Sequence, residues 1–197
     1  MGNMPRCCCA DHVTMEPRES LLTVPGATQE EKGGRLMGKD GGYDVRTETE
    51  QLQETVSAFV RSASRGRPVQ LLRQLSDPPW LERVDGQLRL SKDLHQMFLT
   101  SSDEETDFSF AVTDIRDVYT VEDDGEEAFP KTMVESLNEG ELRCIVRVYY
   151  RASSGQTLSF CLLEGSPAMR THFLQSMRVL FTRAEKLAEQ SAQPQTG

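Results

Sequence analysis

The segment that most limits what this chain can become is its last helical stripe. Met169, Phe173, Met177, Leu180, Phe181, Ala184 and Leu187 recur at three- and four-residue steps, which places them on one face of an α-helix. Ser166 is suited to cap the helix and Pro167 to open its first turn. A stripe of ~six turns needs an apolar surface to cover, and the residues ahead of it read as strands.

From Val69 the hydrophobic period is two. VQLLRQL (69–75) predicts a strand, SDPPW a turn, and LERVDGQLRLS a hairpin at Asp85-Gly86, both of which tolerate positive φ. HQMFLTS (95–101) is a further strand, and FSFAVTDIRDVYTV (108–121) supplies one bent strand or two short ones. Residues 122–140 read as a long loop with room for one helical turn. In LRCIVRVYYR (142–151), Leu142, Cys144, Val146, Val148 and Tyr150 share one face and Arg143 and Arg147 the other. TLSFCLLEG (157–165) returns antiparallel. Cys144 and Cys161 fall within these apolar runs, so burial is expected of both.

Ahead of the strands, Leu52, Val56, Phe59, Val60 and Ala63 predict an amphipathic helix, with Thr47 and Glu50 as its capping box. Residues 1–46 are rich in Gly, Pro and mixed charge and are expected to form a flexible arm. Residues 47–190 then form one domain, and 191–197 a polar tail. The order is one helix, six or seven short antiparallel strands, and one long helix. That predicts an α+β, mostly β, fold: a curled pleckstrin-homology-like sheet whose open end the last helix caps.

The function classes narrow quickly. A formal net charge of −9 argues against nucleic acid and against adsorption to anionic lipid by charge alone. No apolar run reaches the length of a transmembrane helix, and the N-terminus lacks the apolar core of a secretory signal. A cytosolic, thiol-reducing setting is expected, and an odd count of five cysteines, three of them adjacent, is not a disulfide framework. His12, His95 and His172 are scattered, and no nucleophile, phosphate-loop or zinc-protease motif accompanies them. No enzymatic activity, cofactor, metal or small-molecule substrate is therefore expected. The acidic runs SDEETD and EDDGEE lack the spacing of a calcium loop and read as solvated acids. Around the first strands Arg73, Arg83 and Arg89 are offset by Asp77, Glu82 and Asp85, with no Lys. Phosphoinositide binding through those arginines is the alternative reading. Trp80, after Pro78-Pro79, is read as a core lid, with an exposed partner anchor as the second possibility.

The chain opens MGNMPRCCCADH. Gly2 is the acceptor that N-myristoylation requires, although Arg6 stands where Ser or Thr is usual. One myristoyl chain holds a protein to a membrane only marginally, so a second signal is needed. Few cations follow, which leaves Cys7, Cys8 and Cys9 as S-palmitoyl acceptors. A zinc site with His12 and an unmodified arm are the competing readings; the cysteine spacing does not suit a tetrahedral centre.

MGN…CCC, a short arm, and a domain carrying FSFAVTDIRDVY, LRCIVRVYY, TLSFCLLEG and the last helix together resemble the inner-membrane-complex sub-compartment proteins of apicomplexan parasites. The resemblance implies N-myristoylation at Gly2 and palmitoylation within Cys7–Cys9. It implies attachment through acyl chains to the cytosolic face of the flattened sacs beneath the plasma membrane. It further implies a scaffold or adaptor whose domain contacts protein partners of the membrane cytoskeleton, in daughter-cell budding or cytoskeletal organisation.

Overall fold

The computed structural model describes residues 45–76, 79–103 and 107–192. Gly2, Cys7, Cys8 and Cys9, and the whole of the expected arm ahead of Val45, lie outside the described residues. Helix α1 (Val45–Arg65) leads into β1 (Arg67–Ser76), β2 (Pro79–Leu90), β3 (Gln96–Ser101) and β4 (Phe108–Ala111). A 3₁₀ turn (Val112–Asp114) leads to β5 (Ile115–Thr120). Four short helical segments follow: α2 (Val121–Asp124), a 3₁₀ turn (Glu126–Ala128), α3 (Lys131–Ser136) and α4 (Glu139–Leu142). β6 (Ile145–Arg151), β7 (Thr157–Leu163) and α5 (Pro167–Ala192) complete the order.

All seven strands form one antiparallel sheet in the order β4-β3-β2-β1-β7-β6-β5. Its two edge strands, β4 and β5, are chain neighbours through the 3₁₀ turn, so the sheet must curl. Phe110 on one edge strand stacks on Tyr150 of β6, next to the other edge, with ring centroids 4.4 Å apart. α5 packs onto the 3₁₀ turn between the edges. Phe173, Met177, Leu180 and Ala184 are buried there with Leu88, Leu99, Val118, Val148 and Leu162. The Ser166 hydroxyl accepts from the Met169 amide at 3.2 Å, so the expected N-cap of this helix is made.

Several local expectations give way to tertiary context. α1 begins at Val45, so Thr47 lies inside the helix and is not its cap. Asp85-Gly86 makes no turn: both sit within β2, with Gly86 paired to Val69 on one side and Ser101 on the other. A Cβ on Gly86 would lie 2.5 Å from the Thr100 carbonyl oxygen and 3.2 Å from Leu71 Cδ1. The glycine is there for close approach of two chains, not for positive φ. β1 instead pairs with β2 end to end from Ser76 and Pro79, so the reversal falls within SDPPW, as expected. β6 starts at Ile145, and Leu142 belongs to α4, so the alternation of 142–151 holds only from Ile145 onward.

The long loop expected at 122–140 is largely helical, and it covers the outer face of the sheet. Ala128, Phe129, Met133 and Leu137 pack there with Leu72, Tyr119, Ile145 and Cys161 as a second core. Arg147, expected on the face opposite Val146, Val148 and Tyr150, lies there and is buried beneath this insertion. Its Nη1 donates to the Ala128 carbonyl at 2.8 Å, and its Nε and Nη2 reach the Ser159 hydroxyl at 3.3 and 3.2 Å. Its guanidinium lies 4.7 Å from the centre of the Tyr149 ring. Cys144 and Cys161 are both buried and neither forms a disulfide, with Cys161 in β7 and Cys144 just ahead of β6. Burial pushes the Cys144 thiol pKa up.

Candidate functional site

The β1–β2 end and the β3–β4 connection come together through Arg73, Glu82 and Asp103, and a phosphate ligand would need cations there. The described residues put Arg73 at that end, on the inner face between Leu71 and the turn. Its guanidinium is 2.5 Å from Glu82, its cross-strand neighbour, and 2.7 Å from Asp103. The Arg73 side chain is only 12% exposed. Two carboxylates on one cation leave the mouth without net positive charge.

The other two arginines are not brought to it. Arg83 lies on the opposite, outer face of β2, across from Leu72, and donates to Glu141 of α4 at 2.7 Å. That contact, with the Asn138 amide, holds the Glu141 carboxyl below its ordinary range. Arg89 is six residues further along β2, ~20 Å from Arg83 at strand spacing, towards the β2–β3 turn. The three candidate phosphate ligands thus occupy three separate places.

The acidic runs are not simply solvated either. Asp103 accepts from the Ser101 hydroxyl, and Asp107 accepts from the Ser101 amide at 2.8 Å. In the second run, Asp124 accepts from the Thr120 amide at 2.9 Å and Asp123 from the Thr120 hydroxyl at 2.8 Å. Glu122 pairs with Arg170 of α5. Asp103, Asp107, Asp123 and Asp124 thus fasten the ends of β3 and β5, and Glu122 ties α2 to α5. Among the described residues, no group of three His, Cys, Asp or Glu is arranged to hold a metal ion.

This is a pleckstrin-homology-like fold. The antiparallel order, the curl that brings β4 and β5 together and the capping α5 carry that assignment. No family model and no curated protein matches the chain. Solved structures with a similar fold include Inner Membrane Complex sub-compartment protein 3 from Toxoplasma gondii, at 15% identity and TM-score 0.43, over 68% of this chain and 87% of that one. Sub-compartment protein 1 from the same organism aligns at 15% identity and TM-score 0.48, over 66% of this chain and 92% of that one. The PH domain from TgAPH aligns at 13% identity and TM-score 0.40, covering 68% and 93%. Likeness at these identities concerns the fold.

Within the pleckstrin-homology-like domain the surfaces open to a partner lie elsewhere. Trp80 sits on β2 and is 52% exposed, so it does not act as a core lid. The leading helix α1 lies against α5, with Phe59 and Phe173 edge to face at 5.8 Å. Arg67 joins the two helix ends: it makes paired hydrogen bonds to Glu164 at 2.8 and 2.5 Å, and its guanidinium lies over the Phe59 and Phe173 rings. An open groove of about 1010 Å³ runs beside this contact, lined by Leu52, Ala58, Phe59, Met169, His172 and Phe173 among others. Leu52 and Met169 are 38% and 45% exposed. Of the three histidines, His172 lines this groove, His95 lies in the β2–β3 connection and His12 is outside the described residues. No described helix is long and apolar enough to cross a membrane.

Proposed function

We propose that this chain is a lipid-anchored scaffold or adaptor whose pleckstrin-homology-like domain binds protein rather than lipid headgroups. The observation that carries the reading is the mouth itself, where Arg73 is held by Glu82 and Asp103. A multiply charged phosphate would have to displace two carboxylates to reach a single guanidinium. The domain is then left to make contacts through its exposed surfaces, and membrane residence falls to the arm. Gly2 supplies a weak myristoyl chain, and Cys7, Cys8 and Cys9 supply the palmitoyl thioesters that make residence stable.

The membrane in this proposal is the cytosolic face of the inner membrane complex. That choice rests on the resemblance carried by MGN…CCC together with the short arm and the single domain behind it. A role in daughter-cell budding or cytoskeletal organisation, through protein partners of the membrane cytoskeleton and without enzymatic activity, belongs to the same proposal.

Mass spectrometry of the native N-terminal peptide should find myristate on Gly2 and palmitate within Cys7–Cys9. Gly2→Ala and the triple Cys7→Ser/Cys8→Ser/Cys9→Ser variant should each become soluble in cells. A triple variant that keeps the wild-type membrane pattern would sink the two-chain anchor. Binding of the unacylated full chain to phosphoinositide vesicles, lost on Arg73→Ala, would favour the headgroup reading instead.

A further inference from the structure

α1 has a longer apolar stripe than it buries. Phe59 and Ala63 are in the core and Val60 packs against it, but Leu52 remains 38% exposed at the other end of the stripe. There it meets Val179 and Leu187 of α5, and the three line an open groove of about 680 Å³. The remaining lining is Gln175, Arg178, Thr182, Arg183 and Lys186. Arg183 and Lys186 are exposed. On a chain of net charge −9, this groove carries an apolar floor and a cationic rim. An occupant that fits it is aliphatic with acidic flanks.

The chain supplies such a segment. Leu21, Leu22 and Val24 are the one place in the first 44 residues where three large aliphatic side chains fall within four positions. Glu16 and Glu19 precede them, Glu30 and Glu31 follow, and Arg18 is the single Arg or Lys between residues 11 and 31. The span from Val24 to Val45 is 21 residues, with a reach of up to ~70 Å and a root-mean-square span of ~25 Å for a flexible chain. Leu52 is seven residues into α1, ~10 Å along the helix. The segment therefore reaches the groove with ease, at an effective concentration in the ~millimolar range.

We propose that residues 21–24 dock in cis into the groove between α1 and α5, with Glu16 and Glu19 set against Arg183 and Lys186. Docking divides the arm in two. Residues ahead of the docked segment extend from the α1–α5 face, and those after it close a loop back to α1. The inference does not depend on acylation.

The test uses the full chain with methyl-labelled Leu and Val. Leu21→Ser/Leu22→Ser/Val24→Ser should shift the methyl resonances of Leu52, Val179 and Leu187, and the shifts should not change on hundredfold dilution of the wild-type chain. Arg183→Glu/Lys186→Glu, at two exposed positions that leave the core untouched, should produce the same shifts. Adding Glu16→Lys/Glu19→Lys to that background should reverse them. Amides of residues 21–24 should exchange about tenfold faster in the charge-reversed chain than in wild type. Unmoved methyl resonances or equal exchange rates overturn the proposal. So does dependence on dilution, which assigns the groove to a second copy. A response to phosphatidylserine vesicles that ignores the arm substitutions assigns it to a lipid surface and overturns the proposal equally.

Discussion

The two faces of the sheet are built on different principles. The inner face is a continuous apolar core in which strands alternate and α5 closes the end. Among the described residues, the outer face is covered by the segment between β5 and β6, and it carries a buried guanidinium among its apolar residues. Burial of carbon on the inner face stabilises in proportion to area. Arg147 on the outer face contributes differently. It satisfies a carbonyl of the insertion and a hydroxyl of β7, and so ties a peripheral segment to the sheet. Both faces bury apolar side chains, but the outer one also uses a buried guanidinium to fix its covering segment in place.

Four measurements would break or sharpen that contrast. Leu99→Ala, at a fully buried inner position, should cost ~3 kcal/mol in denaturant unfolding, with the whole domain losing stability together. Gly86→Ala should follow at ~2 kcal/mol, because the new methyl meets the Thr100 carbonyl oxygen and has to push β3 away. A stabilising effect would mean that β2 and β3 do not approach each other so closely. Arg147→Met should cost ~1–2 kcal/mol and act locally. Hydrogen exchange should rise first over residues 126–137 while the inner strands keep their protection; uniform loss would make the two faces one cooperative unit. An effect absent near neutral pH is expected at Tyr119, where burial first and the nearby Asp117 second raise the phenol pKa from 10.0 to about 12. The folded state holds that proton more tightly than the unfolded chain. The resulting stability is fully present below pH 10 and is lost as pH rises from there to about 12. Ultraviolet titration should show a late phenol that is absent in Tyr119→Phe.

The same contrast explains what could be read from the sequence. Helix order, the α5 stripe with its Ser166 cap, and the number of strands were legible because they follow from period and from terminal residues. The inner face of β6 was legible too, through Val146, Val148 and Tyr150. The outer face was not, because EDDGEE and its surroundings dominate the look of residues 122–140. A signal was present nonetheless: Phe129, Met133 and Leu137 recur every fourth residue, and Asn138 with Glu141 forms a capping box. Asp85-Gly86 carries turn chemistry but is held extended by partners on both sides, which local propensity does not report. For the candidate site, the charge offset around Arg73 was visible in composition. That Glu82 and Asp103 close on Arg73 from two sides, while Arg83 and Arg89 lie elsewhere, depends on register.

The latch between Arg67 and Glu164 has a mechanical consequence. The arm enters the domain through α1, and α1 joins β1 at Gly66, whose positive φ of 97° lets the chain turn directly from helix to strand. A pull on the residues ahead of Val45 does not load the sheet at once. It first shears α1 along α5, against the Phe59–Phe173 contact, and next meets the paired hydrogen bonds of Arg67 to the end of β7. Only after both yield would β1 be drawn from its place between β2 and β7. The leading helix thus stands between the arm and the sheet, so a load on the arm meets the α1–α5 contact before the strands.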